Sequence, residues 1–174
     1  MASTLTHYPV YLTTYWSPRD DHHAIYVDTN TESGGYLFHV EGSLQTGMAF
    51  VAKKACHPFI SATGEPVRHI GWVSHHKFVD IGRVCETVPP PCKQYELSKR
   101  LVPRHAIRHC QHWAGEAIDA LRKQAILEPL GPGDDAEVIM RDDVKVEKRG
   151  RCPRKPLPLA VEWQKKKTFP KFKD

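Results

Sequence analysis

The chain has 174 residues, 40% hydrophobic and 26% charged, which suits one folded domain and excludes a collagen-like or fully disordered polypeptide. Its net charge of +5 is unevenly placed. Lys145 to Asp174 hold 11 Lys/Arg against 3 Asp/Glu, while the residues before them hold 14 against 17. The body therefore gives no compositional reason to expect nucleic-acid binding.

Eleven histidines are an excess that asks for a chemical reason. Five cysteines are an odd number without a repeated pair spacing, so a reduced, cytoplasmic protein is expected. Met1 to Val10 lacks the basic start and apolar run of a signal peptide. No stretch approaches the roughly 18 apolar residues of a membrane span, so no transmembrane segment is expected.

In chain order, Val10 to Trp16 reads as a strand, closed by a turn at Ser17-Pro18-Arg19-Asp20. His22 to Val27 is a second, β-rich run, and Tyr36 to Val40 a third. Between them Asp28-Thr29-Asn30 and Gly34-Gly35 predict a long polar hairpin loop. Gly42 to Thr46 reads as a turn and Met48 to Ala52 as a short strand, while Lys53 to Pro66 has no clear pattern. Val67 to Val73 reads as a strand and Phe78 to Val84 as part of another element, stopped by Pro89-Pro90-Pro91.

One helix is clear, at about 109–125. Trp113, Ala114, Ala117, Ile118, Leu121 and Ala125 repeat at spacings of three and four, with Glu116, Asp119, Arg122 and Lys123 on the other face. Trp72 and Trp113 are expected in the core. Gly131-Pro132-Gly133-Asp134-Asp135 marks a boundary, and Ala136 to Val146 suggests one more short element. The domain reading is one catalytic-type domain over 1–146 and a basic, proline-containing tail over 147–174.

Cys110 falls at the start of the predicted helix. There, free backbone N–H groups and the helix dipole favour a thiolate. Strand alternation places His22, Ala24 and Tyr26 on one face and His23, Ile25 and Val27 on the other. His39 shares a face with Leu37 on the next strand, and adjacent antiparallel strands can bring a histidine from each into contact. A thiol, an imidazole to take its proton, and a polar group fixing that imidazole are the parts of a cysteine nucleophile site. The bland reading is a buried inert cysteine with scattered surface histidines.

These segments resemble one family. His22-His23-Ala24-Ile25-Tyr26-Val27 resembles the H-x-A-I-Y-V strand of the permuted NlpC/P60 group, which includes the lecithin:retinol acyltransferase-like enzymes. His39-Val40 resembles that group's second histidine. Cys110-Gln111-His112-Trp113 resembles its helix-opening N-C-E-H-F segment, with His109 in place of the Asn. The likeness covers about 22–41 and 108–122.

It implies an α+β, permuted papain-like fold with an antiparallel sheet packed against the cysteine helix. It further implies a cysteine-dependent hydrolase or acyltransferase acting on an ester, amide or thioester. Cys110 becomes the nucleophile, His22 the general base and His39 the group orienting it. His23, on the opposite face, is the fallback base. His23, Trp16 and Gln111 are the candidate substrate-binding residues, with an oxyanion contact in view for Gln111 and ordinary core packing as the competing reading of Trp16. No cofactor is expected, and the acyl- or peptide-type substrate stays unidentified.

Two other readings stand beside this one. A non-catalytic interaction protein could keep the same scaffold. A zinc-stabilised module could draw on Cys56-His57, His69, His75-His76, Cys85 and Cys92, although no C-x-x-C or H-E-x-x-H spacing is present and no metal site is assigned. The tail, with Lys148-Arg149-Gly150-Arg151, Arg154-Lys155 and Lys165-Lys166-Lys167, is either solvated or a contact for an acidic partner, a membrane surface or a nuclear import receptor.

Overall fold

Five β-rich runs form the main strands: β1 (His7–Tyr15), β2 (His22–Thr31), β3 (Gly34–Ser43), β4 (Gly47–Ala55) and β5 (Val67–Ser74). Two helices follow, α1 (Phe78–Thr87) and α2 (Cys110–Lys123). Between them lies a two-strand hairpin of β6 (Tyr95–Glu96) and β7 (Lys99–Arg100), and after them β8 (Val138–Ile139). The computed structural model describes residues 6–15, 21–31, 34–55, 67–134 and 138–139. The protein is α+β. Its main sheet is antiparallel throughout, in the order β4-β3-β2-β1-β5-β8.

Alternation along the strands makes the two faces of this sheet different. Val10, Ile25, Val27, Phe38 and Val40 point to one side and meet Val84, Trp113, Ala117 and Leu121 of the helices in the main core. Ala24, Tyr26 and Leu37 point to the other side, with Tyr11, Tyr15 and Ala55 packed against them. The predicted helix is present as α2. Its apolar stripe is buried from Trp113 to Leu121 while Glu116, Asp119 and Arg122 are exposed; Ala125, expected on that stripe, lies past the helix end and is exposed. Trp113 is wholly buried, and its indole N–H donates to Val88 O at 3.1 Å. Ile126 and Leu127 continue the packing after the helix.

The structure departs from the sequence reading in three places and specifies it in a fourth, at Phe78. The β2–β3 connection is short, because the strands continue through Thr29 and Thr31 to a pairing of Thr31 with Gly34. Thr29 Oγ1 ties this end by donating to Gly34 O at 2.7 Å. Lys53 to Ala55, unpatterned in sequence, belong to β4, where Lys53 pairs with Leu37 and Ala55 with Gly35. Phe78 to Thr87 is helical, with Ile81, Val84 and Cys85 buried at helical spacing. Trp72 is only half-buried: alternation gives Val73 to the core and turns Trp72 away, where its N–H donates to Asp134 Oδ2 at 3.0 Å.

Gly71 has a specific duty. It has φ +148°, and a Cβ there would lie 2.2 Å from Glu128 O. The chain after α2 can therefore close on β5 through Trp72 N–H to Glu128 O (3.0 Å) and Glu128 N–H to Trp72 O (2.8 Å). Of the expected element at 136–146, β8 pairs with Val67 and Arg68; residues 140–146 and the basic tail lie outside the described residues. Among the described residues no helix is long and apolar enough to cross a membrane.

Candidate active site

The start of α2 is held from three directions. Gln94 is almost fully buried, and its amide pairs with the backbone of Arg108, accepting Arg108 N–H and donating to Arg108 O, each at 2.7 Å. The Gln94 backbone N–H donates to Leu44 O at 2.7 Å, so one residue links the β3–β4 turn to the residues that open the helix. Arg108 grips Glu116 with both Nε and Nη2, and Nη2 also donates to Pro89 O at 3.2 Å. His109 is extended at the N-cap, and its N–H donates to His112 Nδ1 at 3.0 Å. The N–H groups of Cys110 and Gln111, in the first turn, have no acceptor within the helix.

Cys110 is buried, at 7% exposure. Its thiol donates to Asp21 O at 3.7 Å, and Gln111 Nε2 donates to the same oxygen at 3.2 Å. Helix α2 is thus pinned to the residue immediately before His22.

The structure brings the two expected histidines together. His22 Nε2 lies 2.8 Å from His39 Nδ1, with the rings edge to face at 5.1 Å between centroids. His39 is 4% exposed. Its other nitrogen, Nε2, is 3.1 Å from Glu41 Oε1, a charge contact whose alignment falls short of a hydrogen bond. Glu41 Oε1 in turn receives Lys53 Nζ at 2.6 Å. Burial pushes His39 down to about 4, with Lys53 and His22 adding to the shift and Glu41 opposing it. Burial also lowers His22, helped by His23 and Lys53 and opposed by Glu41. Lys53, through its hydrogen bond, holds the Glu41 carboxyl below its usual range. At neutral pH the pair is two neutral imidazoles in front of a carboxylate–ammonium pair.

The remaining predicted residues are distributed around this pair. Alternation puts His22 on the face of Tyr15, whose ring centroid is 6.3 Å away. His23 is on the face that the helices cover, and burial lowers it too, with Asp21 opposing and Arg68 assisting. The Cys110 thiol and the His22 ring thus meet β2 at its first residues but from opposite sides. The hydrogen bond of the thiol is to a carbonyl, not to an imidazole. Gln111 is exposed and engaged with Asp21 O. Trp16 lies outside the described residues.

Three contributors escaped the sequence reading. Glu41 had a signal available, since it is two residues beyond His39 on the same strand face, whereas Lys53 reaches it only through the pairing of β4 with β3. Gln94 had none: its role depends on Arg108 arriving opposite it. Among the described residues no three His, Cys, Asp or Glu side chains gather as a metal site, and Cys56 and His57 lie outside them. Cys85 is packed inside α1, where burial pushes its thiol up to about 12.

Residues 10–128 match the model of a family of unknown function, DUF6540, and the chain belongs to that family. No curated protein and no solved structure matches the chain.

Proposed function

We propose that this DUF6540 member is a cysteine-dependent hydrolase or acyltransferase of permuted papain-like, NlpC/P60 type, acting on an ester, amide or thioester. The observation that carries the reading is the 2.8 Å contact of His22 with His39 at the start of β2, where the carbonyl of the preceding residue, Asp21, holds the helix-opening Cys110 thiol.

In this reading the start of α2 shifts around the first residues of β2, so that the Cys110 thiol leaves Asp21 O, crosses from the helix-covered side and gives its proton to His22. The thiolate attacks the carbonyl carbon. The oxyanion takes hydrogen bonds from the N–H groups in the first turn of α2 that have no acceptor within the helix, that of Cys110 among them. His22 then returns the proton to the leaving group, and the thioester passes its acyl group to water or another nucleophile. His39 fixes the His22 ring through Nε2, leaving Nδ1 for the proton.

A second reading has its own observation. The thiol is satisfied by a backbone carbonyl, and His22 faces the other side of the sheet. A non-catalytic interaction protein on the same scaffold fits that arrangement, with the basic tail over 147–174 meeting an acidic partner or a membrane surface.

Labelling with a panel of thiol- and acyl-directed electrophiles at several pH values separates the two. The catalytic reading expects labelling of wild type that Cys110→Ala abolishes and His22→Ala strongly reduces. Equal labelling of wild type and Cys110→Ala sinks it. Loss with His23→Ala and not with His22→Ala moves the base to the helix-covered face.

A further inference from the structure

We infer that Glu41, steadied by Lys53, is a positioning residue that sets the tautomer and proton affinity of the His22–His39 pair. The inference rests on the thiol chemistry proposed above and adds a group that chemistry does not name.

The geometry begins with strand alternation. Leu37, His39 and Glu41 share one face of β3, and Lys53 pairs across from Leu37 on β4, so its long side chain runs along the same face. The result is a row: His22 Nε2 to His39 Nδ1 at 2.8 Å, His39 Nε2 to Glu41 Oε1 at 3.1 Å, and Glu41 Oε1 to Lys53 Nζ at 2.6 Å.

A neutral imidazole carries one N–H and one lone pair. The Glu41 carboxylate can only accept, so it favours the proton of His39 on Nε2. His39 Nδ1 then holds the lone pair and accepts from His22 Nε2–H. His22 Nδ1 is left with the lone pair that a thiol proton needs. A carboxylate at one end of the row therefore decides which nitrogen is basic at the other end. When His22 takes a proton, the negative charge of Glu41 favours the imidazolium and Lys53 opposes it. The other groups around the pair are His23 on β2 and the Tyr15 ring on β1.

The alternative for Glu41 is a surface ion pair with Lys53 that only stiffens the β3–β4 hairpin. Such a role changes stability and leaves the imidazoles alone. Nitrogen-15 NMR of the imidazole rings in the full chain tells the two apart at neutral pH. In wild type His39 is expected as the Nε2–H tautomer. Glu41→Gln is expected to mix the tautomers and to lower the titration midpoint of His22, and Lys53→Met to raise it. Acylation of Cys110 by p-nitrophenyl acetate is expected to slow roughly tenfold in Glu41→Gln, below the roughly 10²–10⁴ carried by a general base itself.

An unchanged His39 tautomer in Glu41→Gln overturns the inference. Should that variant not fold, an unmoved His22 midpoint in Lys53→Met overturns it instead. If the tautomer follows Glu41 but wild type is not acylated at Cys110, the inference stands and the thiol chemistry falls. If wild type is acylated and neither tautomer nor midpoint responds, the thiol chemistry stands and the inference falls.

Discussion

His39 is where burial and protonation meet most sharply. A histidine pushed from 6.5 to about 4 by burial takes up its proton in the unfolded chain before it does in the folded one. Between those two values the unfolded state binds more protons, so folding stability is fully present above about pH 6.5 and is lost as the pH falls toward 4. The shift corresponds to roughly 3 kcal/mol across that window. Urea midpoints recorded from pH 7.5 to 4.5 are expected to fall more steeply for wild type than for His39→Gln, which has no proton to take up. Parallel profiles would show that His39 is not the group being desolvated. Cys85 shows the contrast: its raised thiol is a packing consequence inside α1, with no partner chemistry attached.

Helix α2 shows what an element owes to its neighbours. Its apolar stripe is local information, and Trp113 occupies the centre of it. Trp113→Ala removes a wholly buried ring and its bond to Val88 O, and a loss of about 3–5 kcal/mol is expected in chemical denaturation. Its first turn is another matter. Gln94→Leu keeps the size but leaves the N–H and C=O of Arg108 without their partner, at a cost of about 1–3 kcal/mol for each group left unsatisfied. Faster hydrogen exchange is expected at Arg108 and Cys110, with the later turns of α2 unchanged. Uniform acceleration along the helix would mean that Gln94 supports the whole domain and not the start of α2.

Across the molecule, the junction of Gly71 with Glu128 closes the chain after α2 onto β5. Gly71→Ala places a Cβ against Glu128 O in a backbone conformation that alanine rarely adopts. A loss of at least about 1–3 kcal/mol is expected from the strain alone. It should be read as a lower thermal midpoint together with faster exchange at Trp72 and Glu128. Unchanged exchange at those two amides would place the damage elsewhere in β5.

The sequence by itself determined the strand alternation from His22 to Val27, the shared face of Leu37 and His39, the apolar stripe of α2 and the position of Cys110 at its start. All of these are spacings within one segment, and a period of two or of 3.6 residues is written locally. Only the tertiary structure decided the rest. The pairing of Leu37 with Lys53 brought a cation to Glu41. The approach of Arg108 to Gln94 fixed the helix start. The arrival of α2 on the face of Ile25 and Val27 set the thiol against Asp21 and put His23, rather than His22, on the helix side. Each of these depends on which face of one segment meets which residues of another. That is settled by burying both apolar faces at once, and no spacing inside a single segment records it.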